Sequence, residues 1–219
     1  MERDTSVLLV VGGGPVGLSL AVGLAQRGHR VQLVDAGPDP RTSDKPMPAR
    51  STALMPLSLE TLEAMGVWAR VADRSAPLDK LRLIDDQADR WTKPVIETFS
   101  ADEVAETPFG FNIINTDLIH ALLEAAEETE GLSLRFGARV ADWRPGEIVL
   151  EGGETLTGAL VFDASGRKSP IPAAAGISIK DYQPNQAALV CQVEHSLDHG
   201  NISTEFQRRE GPLTTVPLP

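Results

Sequence analysis

"LLVVGGGPVGLSLAVGLAQRGHRVQLVDA", Leu8 to Ala36, decides the fold. Its first part, with the residues just before it ("SVLLVV", 6–11), is a short apolar run rich in Val, the pattern of a parallel strand buried on both faces. "PVGLSLAVGLAQRG" (15–28) places Leu18, Val22 and Ala25 at helical spacing and ends on Gly28, a helix stop. "HRVQLVDA" (29–36) supplies a second strand, so the chain opens with a βαβ unit. Gly12, Gly14 and Gly17, spaced G-x-G-x-x-G, fall between the strand and the helix, the setting this pattern requires. In such a turn the first glycine permits the tight bend and the second lets backbone approach a pyrophosphate. The third lets helix and strand pack closely. The helix N-terminus then presents free N–H groups and positive dipole to a phosphate, and Pro15 suits its first turn, where a missing N–H is no loss.

Asp35 closes the second strand, 18 residues beyond Gly17, where a carboxylate accepts hydrogen bonds from a ribose and favours a 2′-hydroxyl over a 2′-phosphate. Strand, glycines, helix, second strand and terminal acid together predict a site for an ADP-containing dinucleotide. Phosphate chemistry alone does not separate NAD from FAD. The chain beyond the second strand bears on that choice, because a simple nicotinamide dehydrogenase would continue with alternating strands and helices.

Instead "GPDPRTSDKPMPAR" (37–50) reads as an irregular loop and "PLSLETLEAMG" (56–66) as a helix with Leu57, Thr61, Leu62 and Met65 on one face. "KLRLIDD" (80–86) alternates as a strand does. "NTDLIHALLEAAEETEG" (115–131) predicts a helix capped by Asn115 or Thr116, with Leu118, Leu122 and Ala125 inward and Gly131 at its end. Its acidic run is read as a solvated face. Short strands with turn residues between them come next, ending in the apolar "ALVFDASG" (159–166). "QAALVCQVEH" (186–195) and "ISTEFQRR" (202–209) predict antiparallel sheet in a second region.

A net charge of −11 argues against nucleic acid and against electrostatic docking to anionic lipid. The single cysteine, Cys191, excludes an internal disulfide and is expected to be a small buried apolar residue. His195 and His199 lie four apart, a metal-binding spacing only on a helix, and this region reads as strand and turn. The flank "MERDTS" is not basic and glycines interrupt the apolar stretch behind it, so neither a signal nor a membrane helix is expected and the cytoplasm is the expected location.

Taken together, these segments resemble the FAD-dependent aromatic hydroxylases of the p-hydroxybenzoate hydroxylase type, above all the branch acting on polyprenylated phenols in ubiquinone biosynthesis. The resemblance is carried by "VVGGGPVGLSLAVGLAQRGHRVQLVDA", "RSTALMPLSLETLEAMGVW" (50–68), "FGFNIINTDLIHALLEA" (109–125), "LVFDASGRKSPIPAAAGI" (160–177) and "QAALVCQVEH" with "EFQRREGPLTTVPLP". It implies an α/β fold: a Rossmann-like FAD-binding domain with a parallel sheet and a β-meander (1–79 and 109–178), and part of an antiparallel-sheet substrate domain (80–108 and 179–219). Gly12, Gly14, Gly17 and Asp35 would hold the ADP half of FAD, Arg50 would sit beside the pyrophosphate or ribityl chain, Val140 would lie near adenine through its backbone, and Gly166 belongs to the family's Asp-Gly motif.

The resemblance further implies NAD(P)H as co-substrate, O2 as oxygen donor and a phenolic or quinol substrate, with no side-chain nucleophile and no metal. The family pattern has Asp immediately before Gly166, where this chain has Ser165, with Asp163 two residues earlier; the family's later Arg is replaced by Pro172. The family continues into a further Gly-Asp motif and the rest of the substrate pocket, so the chain is expected to be an N-terminal part. A partial sheet with open edges would favour association between copies and peripheral contact with a membrane or with a ubiquinone-biosynthesis complex. The competing expectation is a non-catalytic nucleotide-binding or interaction protein of the same descent.

Overall fold

The computed structural model describes residues 7–43, 50–85, 94–104, 108–182 and 184–219. Positions 44–49 of the loop expected over 37–50 lie outside the described residues. In chain order the elements are β1 (Val7–Val11), α1 (Pro15–Gln26), β2 (Arg30–Val34), β3 (Ser51–Leu54), α2 (Pro56–Ala64), β4 (Ser75–Pro77), β5 (Lys80–Asp85), β6 (Val95–Ser100), β7 (Phe111–Ile114) and α3 (Asn115–Glu127). They continue with β8 (Leu132–Arg135), β9 (Val140–Arg144), β10 (Glu147–Leu150), β11 (Thr155–Thr157), β12 (Leu160–Asp163), α4 (Ile171–Ala174), β13 (Ile202–Gln207) and β14 (Leu213–Thr215). The chain divides into two compact units, Met1–Pro48 with Leu118–Leu189, and Ala49–Asp117 with Val190–Pro219.

The first unit is built on a four-stranded sheet in the order β12-β1-β2-β8, with every pair parallel. Alternation along β1 and β2 sends Leu9, Val11 and Val34 to one face, where they form one buried cluster with Ala138, Val140, Ile148, Leu150 and Ile171. Val140, Ile148 and Leu150 of that cluster, with the partly buried Trp143 and Leu156 packed against it, come from the antiparallel meander β9-β10-β11, so the meander covers the sheet as the sequence predicts. Val10, Val31 and Leu33 point the other way and are equally buried. On α1 the expected residues Leu18, Val22 and Ala25 are all buried. The helix stops in a Schellman turn: Gly28 N–H donates to the Ala25 carbonyl (2.8 Å) and His29 N–H to that of Leu24 (3.3 Å). Leu118, Leu122 and Ala125 of α3 are buried too, although that helix ends at Glu127 rather than at Gly131.

The second unit holds two sheets, β14-β13-β5-β6 and β3-β7-β4. The buried centre of the smaller one is Ile113 on β7, and beside it the Asn112 side chain donates to the Pro217 carbonyl (2.8 Å). Trp68 meets Phe111 edge to face, ring centroids 5.1 Å apart. Leu62 of α2 and Met65 at its C-cap face inward, but Leu57 is exposed, so only the later half of the expected apolar face is used.

In the region after residue 180 two expectations fail and a third holds in part. Residues 186–195 form no strand, and Leu189 and Val193 are 93% and 75% exposed. An apolar alternating run has strand propensity, yet a strand also needs a neighbour to take its N–H and C=O groups. Within the described residues no such ladder forms here. Cys191, expected inside a strand, is consequently exposed. Finally, β13 is antiparallel only to β14 and pairs in parallel with β5, Ile202 opposite Lys80 through Gln207 opposite Asp85, so this sheet is mixed.

Candidate nucleotide-binding site

The strand order of the first unit places a topological switch between β1 and β12: from β1 the chain runs to β2 and β8 on one side and returns to β12 on the other. In open parallel sheets ligands settle in the crevice beyond the carboxyl ends of the strands at such a point. The glycine turn occupies that position. Gly12 follows β1 with φ +111°, a conformation L side chains avoid, and a Cβ there would lie 2.4 Å from the Ala164 carbonyl oxygen just beyond β12. Its N–H donates to the Val34 carbonyl (2.8 Å), tying the turn to β2. A Cβ on Gly17 would lie 1.9 Å from the Gly12 oxygen, so this glycine lets α1 seat directly on the turn.

Gly14 is different. As the N-cap of α1 it has φ −79° and ψ 178°, open to any residue, and a Cβ there would meet nothing within 4 Å. Neither strain nor internal packing requires glycine at this position, which leaves its face of the turn open. No side chain caps α1, and Pro15 has no N–H, so the first-turn N–H groups of Val16 and Gly17 have no intrahelical partner at a positive helix end. Val16, apolar yet 73% exposed, stands on the same turn and carried no signal in sequence. The cradle therefore fits a pyrophosphate.

Asp35 lies directly after β2, and its carboxylate accepts the N–H of Gly13 (Oδ2, 2.7 Å) and of Gly37 (Oδ1, 2.6 Å). Two of the carboxylate's roughly four lone-pair sites are thus used, which fixes its direction and leaves capacity for ribose hydroxyls. Gly13 was not singled out by the glycine spacing, but it is confined: a Cβ would come within 3.0 Å of the Phe136 ring and 3.1 Å of the Asp35 Cβ. Phe136 follows β8 at the same end of the sheet, and the Arg41 guanidinium stands 5.9 Å from its ring centroid. Arg41 in turn binds Asp39 through Nε (2.9 Å) and Nη2 (2.5 Å) and Glu127, at the end of α3, through Nη1. The Arg41 hydrogen bonds hold the Asp39 carboxyl below its ordinary range, and the Asp39 bond raises the guanidinium above its own. Glu127 is accordingly an ion-pair partner and not merely part of a solvated face.

The other expected site residues are placed less tellingly. Val140 opens β9 with its side chain in the core cluster. Gly166 lies exposed in the turn after β12 with φ +86°. Beside it, the Asp163 carboxylate accepts from the Ser165 hydroxyl (2.6 Å) and N–H (3.1 Å), so Asp163 closes its own turn. Arg50 belongs to the second unit, exposed before β3, its carbonyl accepting the Asn115 N–H (2.8 Å). His199 has both ring nitrogens engaged, with the Leu218 carbonyl and the Asn201 N–H, and no group of three potential metal ligands occurs among the described residues.

The family model described as "FAD binding domain" matches residues 4–207. The chain belongs to this FAD-binding family. It is 31% identical to the 3-demethoxyubiquinol 3-hydroxylase of Escherichia coli (strain K12) over all of its length and 56% of that protein. It is 30% identical to the ubiquinone hydroxylase UbiL of Rhodospirillum rubrum, over 97% of this chain and 49% of that one. Among solved structures, Pseudomonas aeruginosa PqsL in complex with 2-aminobenzoylacetate superposes with a TM-score of 0.75 at 19% identity, covering 98% of this chain and 58% of that one. The tetrameric form of 2-methyl-3-hydroxypyridine-5-carboxylic acid oxygenase gives 0.74 at 17%, with 98% and 56% covered. The fold is that of FAD-dependent monooxygenases, and FAD is the cofactor of this family. The chain spans about half the length of the curated relatives it matches.

Proposed function

We propose that the chain is the FAD-holding part of a flavin-dependent monooxygenase that hydroxylates a polyprenylated phenol in ubiquinone biosynthesis, with NAD(P)H and O2. The observation that carries this reading is Gly14, a glycine that neither backbone strain nor internal packing requires, at the open face of the turn in a chain similar to ubiquinone hydroxylases. Gly12 and Gly17 shape the turn, the Gly14, Val16 and Gly17 N–H groups bind the pyrophosphate, and Asp35 takes the ribose. Bound flavin supplies the redox chemistry by which O2 delivers an oxygen atom to the ring. Arg50, the Val140 backbone and Gly166 are assigned as further cofactor contacts. Residues 1–79 and 109–178 are assigned to flavin binding, and 80–108 and 179–219 to the substrate side.

No helix of the described residues is long and apolar enough to cross a membrane. We place the protein in the cytoplasm, with the exposed Val190, Val193 and Leu197 as its surface for peripheral membrane contact or for association with another copy or with a biosynthetic complex. The test is a flavin-fluorescence titration followed by NAD(P)H oxidation with a polyprenylphenol and isotope-labelled dioxygen. Saturable FAD binding with label in the product is expected; FAD binding without turnover would favour the second reading, a non-catalytic nucleotide-binding protein. That alternative draws on Ser165, which engages Asp163 where the family pattern has an acid before Gly166.

A further inference from the structure

Arg41 is the unexplained charge at this site. It lies in the loop after β2, against Phe136, which directly follows β8 at the carboxyl end of that strand, where the crevice of an open parallel sheet lies. Phe136 links the arginine to the cradle, with its ring edge toward Gly13 and the guanidinium near its face. An arginine beyond the acid that ends the second strand is the feature by which sites of this topology accommodate a ribose 2′-phosphate. Here that cation is already engaged. Nε and Nη2 donate to Asp39, Nη1 donates to Glu127, and the Arg41 N–H also reaches Asp39 Oδ1 (3.0 Å). Two carboxylates hold one guanidinium.

We propose that Arg41 is a disarmed phosphate-binding residue: Asp39 and Glu127 take three of its five guanidinium N–H donors, outweigh its charge, and make the adenosine end of the cradle reject nucleotides that carry a ribose 2′-phosphate. The cradle thereby excludes NADP(H)-type molecules, which share the ADP unit of FAD, by charge. This inference rests on the nucleotide reading above. It differs from the role of Asp35, because it predicts a latent affinity that can be uncovered without touching Asp35 or the glycines.

The experiment measures binding of ADP and of its 2′-phosphorylated derivative to the 219-residue chain by calorimetry. The native chain is expected to bind ADP and to bind the derivative more weakly. Glu127→Gln, a change at a largely exposed side chain, should strengthen binding of the derivative several-fold, and Asp39→Asn with Glu127→Gln by about tenfold, with ADP affinity nearly unchanged. Adding Arg41→Ala to the double variant should cancel the gain. If the double variant fails to fold by circular dichroism, Glu127→Gln alone decides. Unchanged discrimination in a variant that still binds ADP would overturn the inference and leave the nucleotide site standing, as would a gain that survives Arg41→Ala. A native chain that binds neither ADP nor FAD would overturn both.

Discussion

The two larger sheets contrast in what supports each strand. β1 sits between β12 and β2 under the meander, and Leu9 and Val10 have no exposed surface. β6 is an edge strand in β14-β13-β5-β6, and its apolar residues Val95, Ile96 and Phe99 are 61%, 56% and 48% exposed. Apolar strand residues therefore mean different things in the two places. In the first sheet it is consumed by two neighbours and two covering layers, as a parallel sheet requires. In the second it lies open on an edge, the arrangement that invites pairing with further chain.

Breaking the first sheet at its tightest point should have the largest effect. Gly17→Ala places a carbon against the Gly12 carbonyl, and we expect a loss of about 3 kcal/mol or more in denaturant unfolding. Leu9→Ala should cost about 2–5 kcal/mol, whereas Ile96→Ala on the exposed edge should stay within about 0.5 kcal/mol. Equal costs would erase the contrast. Gly14→Ala separates binding from folding within the same turn: unfolding should be almost unaffected, while FAD affinity by fluorescence titration falls about tenfold. Exposed Cys191 should react with a thiol reagent in the native state as fast as in denaturant, and slow native labelling would mean that the strand at 186–195 forms after all.

The smallest effect concerns Asp39. Its folded pKa lies below the unfolded value because Arg41 bonds its carboxylate, so its contribution is present above the unfolded pKa, about 3.9, and is lost as pH falls through the folded pKa. Asp39→Asn should flatten the stability–pH curve below about pH 4, by less than about 1 kcal/mol for a partly exposed pair. Identical curves would show that the clamp does not hold the loop.

Local pattern made the cradle legible. Strand, glycine spacing, helix and acid lie within one stretch of chain, and each is a local signal: an apolar run, a 3.6-residue period, a stop glycine. Gly13, Phe136, Arg41 and Glu127 were not legible, because they meet only where the ends of β2, β8 and α3 converge, and no sequence period links Arg41 to Glu127 across 86 positions. Residues 186–195 mark the opposite failure. Their local pattern was strong, but a strand is half of a hydrogen-bonded pair, and propensity cannot supply the other half.

The sequence by itself determined the βαβ opening, the dinucleotide cradle and the family, because the left-handed backbone of Gly12, the contact of Gly17 with Gly12 and the period of α1 act over a few residues. Only the tertiary structure decided which strands find partners, that β13 runs parallel to β5, and that Arg41, beside Phe136, is held by two carboxylates. These depend on groups far apart in the chain, whose pairing is set by the packed fold and not by the pattern around either member.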